Sequence, residues 1–220
     1  MQLPWDAIDT VLLDMDGTLL DLHFDNQFWL HHVPRRYAER HGLPLERARM
    51  TLMERYQAKA GTLDWYCVDY WTGELGLDIA RLKQEIQHLI AVHPHVVPFL
   101  LAVRAAGKRT VLVTNAHHKS VTLKMRRTGI QRYLDAVVSS HALGLPKERH
   151  GFWERLQGVQ PFDRERTLLI DDSLPVLRSA REYGIRHLLG VRRPDSGARE
   201  LPGGEFPSVV SFAGLYSHPQ

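Results

Sequence analysis

An unbroken apolar segment that delivers two carboxylates to its tip constrains this chain more than any other feature. Val11, Leu12 and Leu13 run straight into Asp14 and Asp16, with Gly17 and Thr18 close behind. A strand whose apolar residues do not alternate with polar ones fits a parallel sheet covered on both faces. Two negative charges at the end of such a strand cost free energy unless a positive group meets them.

Beyond Pro94 the sequence settles into a rhythm. "VVPFLLAVRAAGK" reads as a helix closing at Gly107, "TVLVTN" as a strand, "KSVTLKMRRTGI" as a helix and "DAVVSS" as a strand. "ERHGFWERLQGV" is a helix, "TLLIDD" a strand, "LPVLRSAREYGI" a helix and "RHLLGV" the last strand, while the Pro- and Gly-rich tail from Arg192 is expected to wrap the surface. Such alternation predicts an α/β fold with a doubly wound, Rossmann-like parallel sheet.

Between the first strand and this repeat lies a helical stretch, from about Asn26 to His93. Asp25 is the expected cap of its first helix, Pro34 and Pro44 start segments, and Gly42 and Gly61 end them. "DIARLKQEIQHLIAV" reads as one helix capped by Asp78 and stopped before Pro94. The expected division is a core of residues 1–20 and 95–220 and a helical cap of residues 21–94. An insert of roughly 70 residues is near the lower size for a separate lobe. Leaving from the carboxyl end of the first strand, it would lie over the sheet edge where open α/β folds bind ligands.

The polar ends of the strands then share one edge. Asp14 and Asp16 follow the first strand, Thr114 and Asn115 end the second, Lys147 follows the third in "GLPKE", and Asp171 and Asp172 end the fourth. Carboxylates from separate strands form a hard oxygen site, the preference of Mg²⁺. An Asp is ionised at neutral pH and needs no base to act as a nucleophile toward phosphorus. Thr114, Asn115 and backbone amides suit non-bridging phosphate oxygens, and Lys147 suits the charge between them. The residues therefore point to phosphoryl transfer on a small phosphomonoester, with a metal and a phosphate meeting the charges at the strand tip.

"DMDGT", "TN", "PK" and "DD", in this order, resemble the haloacid dehalogenase-like phosphohydrolases over nearly the whole chain. That resemblance implies that Asp14 forms an aspartyl-phosphate and that Asp16 protonates the leaving oxygen and later deprotonates water. It implies Mg²⁺ held by the Asp14 carboxylate, the Asp16 carbonyl and Asp172, with Asp171 as a further candidate. The second acidic cluster is the "DD" variant of the family pattern: Val176 and Leu177 stand where many members carry a further acid. More narrowly, "DLHFDNQFW", "LDWYCVDYWTGELGLDI", "TNAH" and "LPKE" resemble the bacterial nucleotidases of this family that hydrolyse GMP and IMP. A small-metabolite phosphatase acting on phosphoglycolate or sugar phosphates is the alternative on the same fold. A hydrolytic dehalogenase is disfavoured, because by family pattern such enzymes lack the second Asp of the first motif.

Other residues have blander readings. One of Asp171 and Asp172 is expected to cap the following helix while the other meets the metal. His117 and His118 read as an exposed helix start without a metal role. Trp65, Tyr66, Tyr70 and Trp71 cover more than one helix face, so most must pack inside the cap, as must Cys67. Trp65 and Tyr66 are the candidates for stacking on a purine, with Asp64 or Asp69 accepting its ring N–H. Phe28 and Trp29 read either way.

The net charge of +3 is spread without any basic run, which disfavours nucleic acid as a partner and leaves a small anionic substrate, here a nucleotide. A lone cysteine allows no internal disulfide. The opening "MQLPWDAIDT" is neither basic nor apolar enough for a signal peptide, and no apolar stretch approaches the ~18 residues of a membrane span. A cytoplasmic monomer or homodimer with no membrane contact is the expectation.

Overall fold

The structure is a computed structural model and describes residues 3–216. Its centre is a six-stranded, wholly parallel sheet in the order β3-β2-β1-β4-β5-β6. The strands are β1 (Thr10–Leu13), β2 (Arg109–Thr114), β3 (Ala136–Ser139), β4 (Thr167–Asp171), β5 (His187–Val191) and β6 (Ser208–Val209).

The unbroken apolar character of β1 has the expected cause. Val11, Leu12 and Leu13 are all fully buried. Val11 and Leu13 join one apolar layer with Leu112, Ile170 and Phe99, while Leu12 joins the opposite layer with Val111, Leu169 and Trp153. The first layer is covered by α7 (Val96–Ala105) and α8 (His118–Thr128), the second by α10 (Phe152–Val159) and α11 (Leu174–Tyr183). In register, Leu13 faces Leu112 on one side and Ile170 on the other. The next residues, Asp14, Val113 with Thr114, and Asp171, therefore emerge together at the carboxyl edge. A one-turn helix, α9 (Ser140–Leu143), follows β3 there.

Between β1 and α7 the chain folds into α1 (His23–Gln27), α2 (Val33–His41), α3 (Leu45–Lys59), α4 (Leu63–Tyr66), α5 (Val68–Leu75) and α6 (Ile79–Glu85). These helices surround an apolar cluster of their own, including Phe28, Leu52, Tyr56, Val68, Trp71 and Ile79. The segment leaves and returns side by side: Asp21 N donates to Ala91 O (2.9 Å) and His93 N to Leu19 O (3.0 Å). A single π turn over Phe28–His32 links α1 to α2. Pro34 lies in the turn just after it, where its missing N–H cannot continue an ordinary helical ladder.

Three local expectations change. Asp25 does not cap α1: Asp21 Oδ1 receives His23 N (3.0 Å), and Asp25 sits within the helix facing two lysines. Asp78 caps α6 as expected, but α6 stops at Glu85 and a 3-10 turn over Gln87–Leu89 follows. The tail is also more than a wrapping. It adds β6, buries Phe212 and Leu215, and returns to the helical segment where Asn26 Nδ2 donates to Asp195 Oδ2 (2.7 Å). Its apolar residues are few and carry no period, so pattern alone does not mark them. Among the described residues no helix is long and apolar enough to cross a membrane.

Candidate active site

Asp14 emerges from β1 with its backbone N–H still tied to the Ile170 carbonyl of β4 (3.0 Å). Its carboxylate is almost wholly buried, which at a strand tip requires a cation. Lys147 is that cation within the chain. Its Nζ donates to Asp14 Oδ1 (2.5 Å), Asp171 Oδ2 (2.7 Å) and the Val113 carbonyl (3.1 Å), so one ammonium joins the ends of β1, β2 and β4. Burial alone would deprotonate the lysine, but the two carboxylates hold its pKa above the usual range. Asp14 is pushed up to about 6 by burial and by Asp171, against the pull of Lys147.

The two acids of "DD" have separate surroundings. Asp171 is occupied by Lys147 through one oxygen and by Ser173 N through the other (2.9 Å), at the turn into α11. Asp172 lies against Gly17. Gly17 has φ +87°, and a Cβ there would collide with Asp172 Oδ2 and its carboxyl carbon, so glycine both permits the left-handed turn and lets the acid approach. Burial, with Asp14 and Asp171 nearby, holds the Asp172 pKa well above the carboxylate norm. One oxygen from each of Asp14, Asp171 and Asp172 lies within 4.8 Å of the others. This all-oxygen set, strongly acidic in charge and short of cations, fits a hard divalent ion.

Asp16 is placed on the other side of the loop. Its Oδ1 accepts from Lys124 Nζ (2.6 Å), and Lys124 also reaches Asp25 Oδ2 (2.5 Å), whose other oxygen receives Lys83 Nζ (3.1 Å). Asp16 is pushed up to about 6 by burial and by Asp25, Lys124 opposing. Burial would also raise Asp25, but its two lysines bring it down to about 2. Lys83 lies over the rings of Phe24, Phe28 and Trp29, at 5.1, 4.4 and 5.4 Å from their centroids. Sequence reasoning missed this ladder, though its signal was present. Lys124 falls three residues after Val121, and Lys83 four after Ile79, so each sits on the apolar stripe of its helix.

Thr114 is buried, its Oγ1 accepting from Ala116 N (3.0 Å). Asn115 is fully engaged: its Oδ1 accepts Lys147 N (2.9 Å) and its Nδ2 donates to Glu148 Oε2 (2.8 Å). The amide thus holds the loop that carries Lys147, a different task from gripping phosphate. Glu148, next to Lys147 in the same loop, also accepts from Tyr66 Oη (3.0 Å) and so ties the helical segment to the core.

A cavity of about 410 Å³ joins these residues. Its floor includes Asp14, Asp16, Thr114, Asn115, Lys147, Asp171 and Asp172, and its walls include Trp29, Tyr56, Trp65, Tyr66 and Trp71. Trp71 is mostly packing, its Nε1 donating to the Trp65 carbonyl (2.9 Å). Phe28 is wholly core, whereas Trp29 faces the cavity. Asp64 and Asp69 are not among the lining residues. Asp64 pairs with Lys59 (2.9 Å) and Asp69 with Lys119 (2.5 Å), both at the surface, so neither faces a base there. His117 is buried rather than exposed: its Nδ1 accepts Lys119 N (3.4 Å) at the start of α8, and burial, with His118 and His141 nearby, brings its pKa down to about 4. Cys67 Sγ likewise accepts Tyr70 N (3.4 Å) at the start of α5 and stays half-buried.

Comparison with known proteins shows the family and the fold. Residues 8–184 match the haloacid dehalogenase-like hydrolase family. The chain is 40% identical over 215 residues to the GMP/IMP nucleotidase YrfG of Escherichia coli (strain K12), covering 98% of this chain and 97% of that one, and equally so to its Shigella flexneri counterpart. The fold superposes on a crystal structure of an HAD phosphatase from Thermococcus onnurineus with a TM-score of 0.77 at 21% identity, over 94% of this chain and 96% of that one. It also superposes on L-2-haloacid dehalogenase from Xanthobacter autotrophicus with a TM-score of 0.63 at 17% identity, over the same shares. With the ends of β1, β2 and β4 meeting at Lys147, and a family match over most of its length, the chain belongs to the haloacid dehalogenase-like hydrolases.

Proposed function

We propose that this protein is a Mg²⁺-dependent phosphomonoesterase that hydrolyses purine nucleoside 5′-monophosphates, GMP and IMP, to nucleoside and phosphate. The observation that carries the reading is the cavity of about 410 Å³ that continues from the Asp14 edge to a wall of aromatic side chains. A phosphate fits the charged end and a flat purine the aromatic end. The full-length similarity to a protein named as a GMP/IMP nucleotidase supports the same substrate class.

In this reading the carboxylates of Asp14 and Asp172 and the carbonyl of Asp16 would hold Mg²⁺, while Asp171 is engaged by Lys147. When bound, the ion supplies the positive charge that lets an anionic nucleophile approach a phosphate dianion. Asp14 attacks phosphorus in line with the ester oxygen, forming an aspartyl-phosphate. Asp16, whose pKa of about 6 keeps a proton within reach near neutrality, gives that proton to the departing 5′ oxygen. It then takes one from the water that hydrolyses the acyl phosphate, and both Asp14 and Asp16 return to their starting states. Lys147 steadies Asp14, and the Thr114 hydroxyl and the loop amides receive phosphate oxygens. The helical segment acts as a cap, with Trp65 and Tyr66 beside the base.

The test is phosphate release from GMP, IMP, AMP, UMP and phosphoglycolate, with and without Mg²⁺. GMP and IMP should lead, and EDTA should stop all turnover. A preference for phosphoglycolate over every nucleotide would overturn the purine reading, and full activity in EDTA the metal-dependent one.

A further inference from the structure

Outside the cavity, one cluster has no part in phosphate chemistry. Cys67, His117 and His141 each offer a ligand atom, and these atoms lie within 4.8 Å of one another. They come from three separate places: the turn before α5, the loop after β2, and α9. The His117 and His141 rings meet edge to face with centroids 4.8 Å apart. His141 Nε2 is buried and has no hydrogen-bond partner. A buried imidazole nitrogen left without a partner loses its hydration for nothing in return, unless something else occupies that space.

We propose that Cys67, His117 and His141 form a binding site for a transition-metal ion, Zn²⁺ in the first instance, that spans the helical segment and the core. A thiolate with two imidazoles is a borderline-soft donor set, suited to Zn²⁺ and poorly matched to Mg²⁺ or Ca²⁺. Coordination converts the Cys67 thiol to a thiolate and releases one proton to solvent; nothing is oxidised or reduced.

The site has a mechanical consequence. Cys67 directly follows Tyr66 and His117 directly follows Ala116, and both neighbours line the cavity. An ion shared by Cys67 and His117 fixes the spacing between cap and core beside the substrate. The ion is thus a brace on the cavity wall, separate from the Mg²⁺ chemistry at the strand tips.

The experiment is a Co²⁺ and Zn²⁺ titration of the full-length protein in excess Mg²⁺. Cys67 is the sole cysteine, so a thiolate-to-cobalt charge-transfer band in the near ultraviolet reports this site alone. Wild-type protein should develop that band with one equivalent of Co²⁺ and lose it when Zn²⁺ displaces the cobalt. Cys67→Ser should abolish the band, and His141→Asn should weaken Zn²⁺ binding by at least ~10-fold, the scale of a disturbed zinc shell. Absence of the band in wild-type protein, a reading that needs no variant to fold, would overturn the proposal. So would undiminished Zn²⁺ affinity in folded Cys67→Ser.

Discussion

Lys124 Nζ lies 2.6 Å from Asp16 Oδ1 and carries that carboxylate's only ammonium hydrogen bond among the described residues. The same nitrogen touches Asp25 of α1, so the acid proposed to protonate the leaving group is held by the helical segment as well as by the core. Replacing Lys124 with Met removes that hold while keeping the chain length. Steady-state kinetics should show kcat for GMP falling by about 10²-fold, the worth of a positioned proton donor, with KM little changed. The loss should be smaller for para-nitrophenyl phosphate, whose leaving group needs less protonation. Equal losses on both substrates in a folded variant would reduce Lys124 to a structural ion-pair partner.

Asp14→Asn keeps the shape of the side chain and removes both the nucleophile and a negative charge beside Lys147. Turnover should fall by at least ~10³-fold with the fold preserved. Acid quench of the wild-type reaction should trap phosphate on the protein. Near-wild-type rates from the pure variant would end the covalent mechanism.

Trp65 lines the cavity, is only partly buried and packs against the core cluster of the helical segment, its ring perpendicular to that of Tyr56 at 5.9 Å. One good base–aromatic stack is worth about 1–3 kcal/mol. Trp65→Ala should therefore lower kcat/KM for GMP and IMP by about 10- to 100-fold and leave para-nitrophenyl phosphate nearly unaffected. If both substrate classes fall together in a folded variant, Trp65 supports the cap and does not read the base.

Metal binding and acid should compete. The folded-state pKa of Asp14, about 6, stands above its ordinary 3.8, and burial shifts Asp172 in the same direction. A raised carboxylate favours the folded state fully below pH ~4, and that contribution is lost as pH rises through 6. The metal-free protein is consequently burdened by unneutralised acids at pH 8, the condition under which a divalent ion helps most. Thermal unfolding should show a larger Mg²⁺-induced rise in Tm at pH 8 than at pH 5. An equal rise at both would place the ion away from these carboxylates.

Asp14, Asp16, Lys147 and the Asp171–Asp172 pair are legible in the linear sequence because each ends or follows an apolar run. Parallel pairing then leaves their alignment little freedom: once Leu13 sits between Leu112 and Ile170, the next residues must share an edge. What the tertiary structure alone decided depends on contacts between distant segments. Asp171 and Asp172 are alike in sequence, yet Lys147 engages one and Gly17 accommodates the other. Asp25 reads as a helix cap, but two lysines from 58 and 99 residues away neutralise it within the fold. Asp64 and Asp69 flank the cavity aromatics along the chain, yet their short helices turn both outward to lysines. Local pattern reports which face of an element is apolar. The partner of a buried charge is chosen by long-range packing, where desolvation makes one ammonium at 2.6 Å outweigh any local preference.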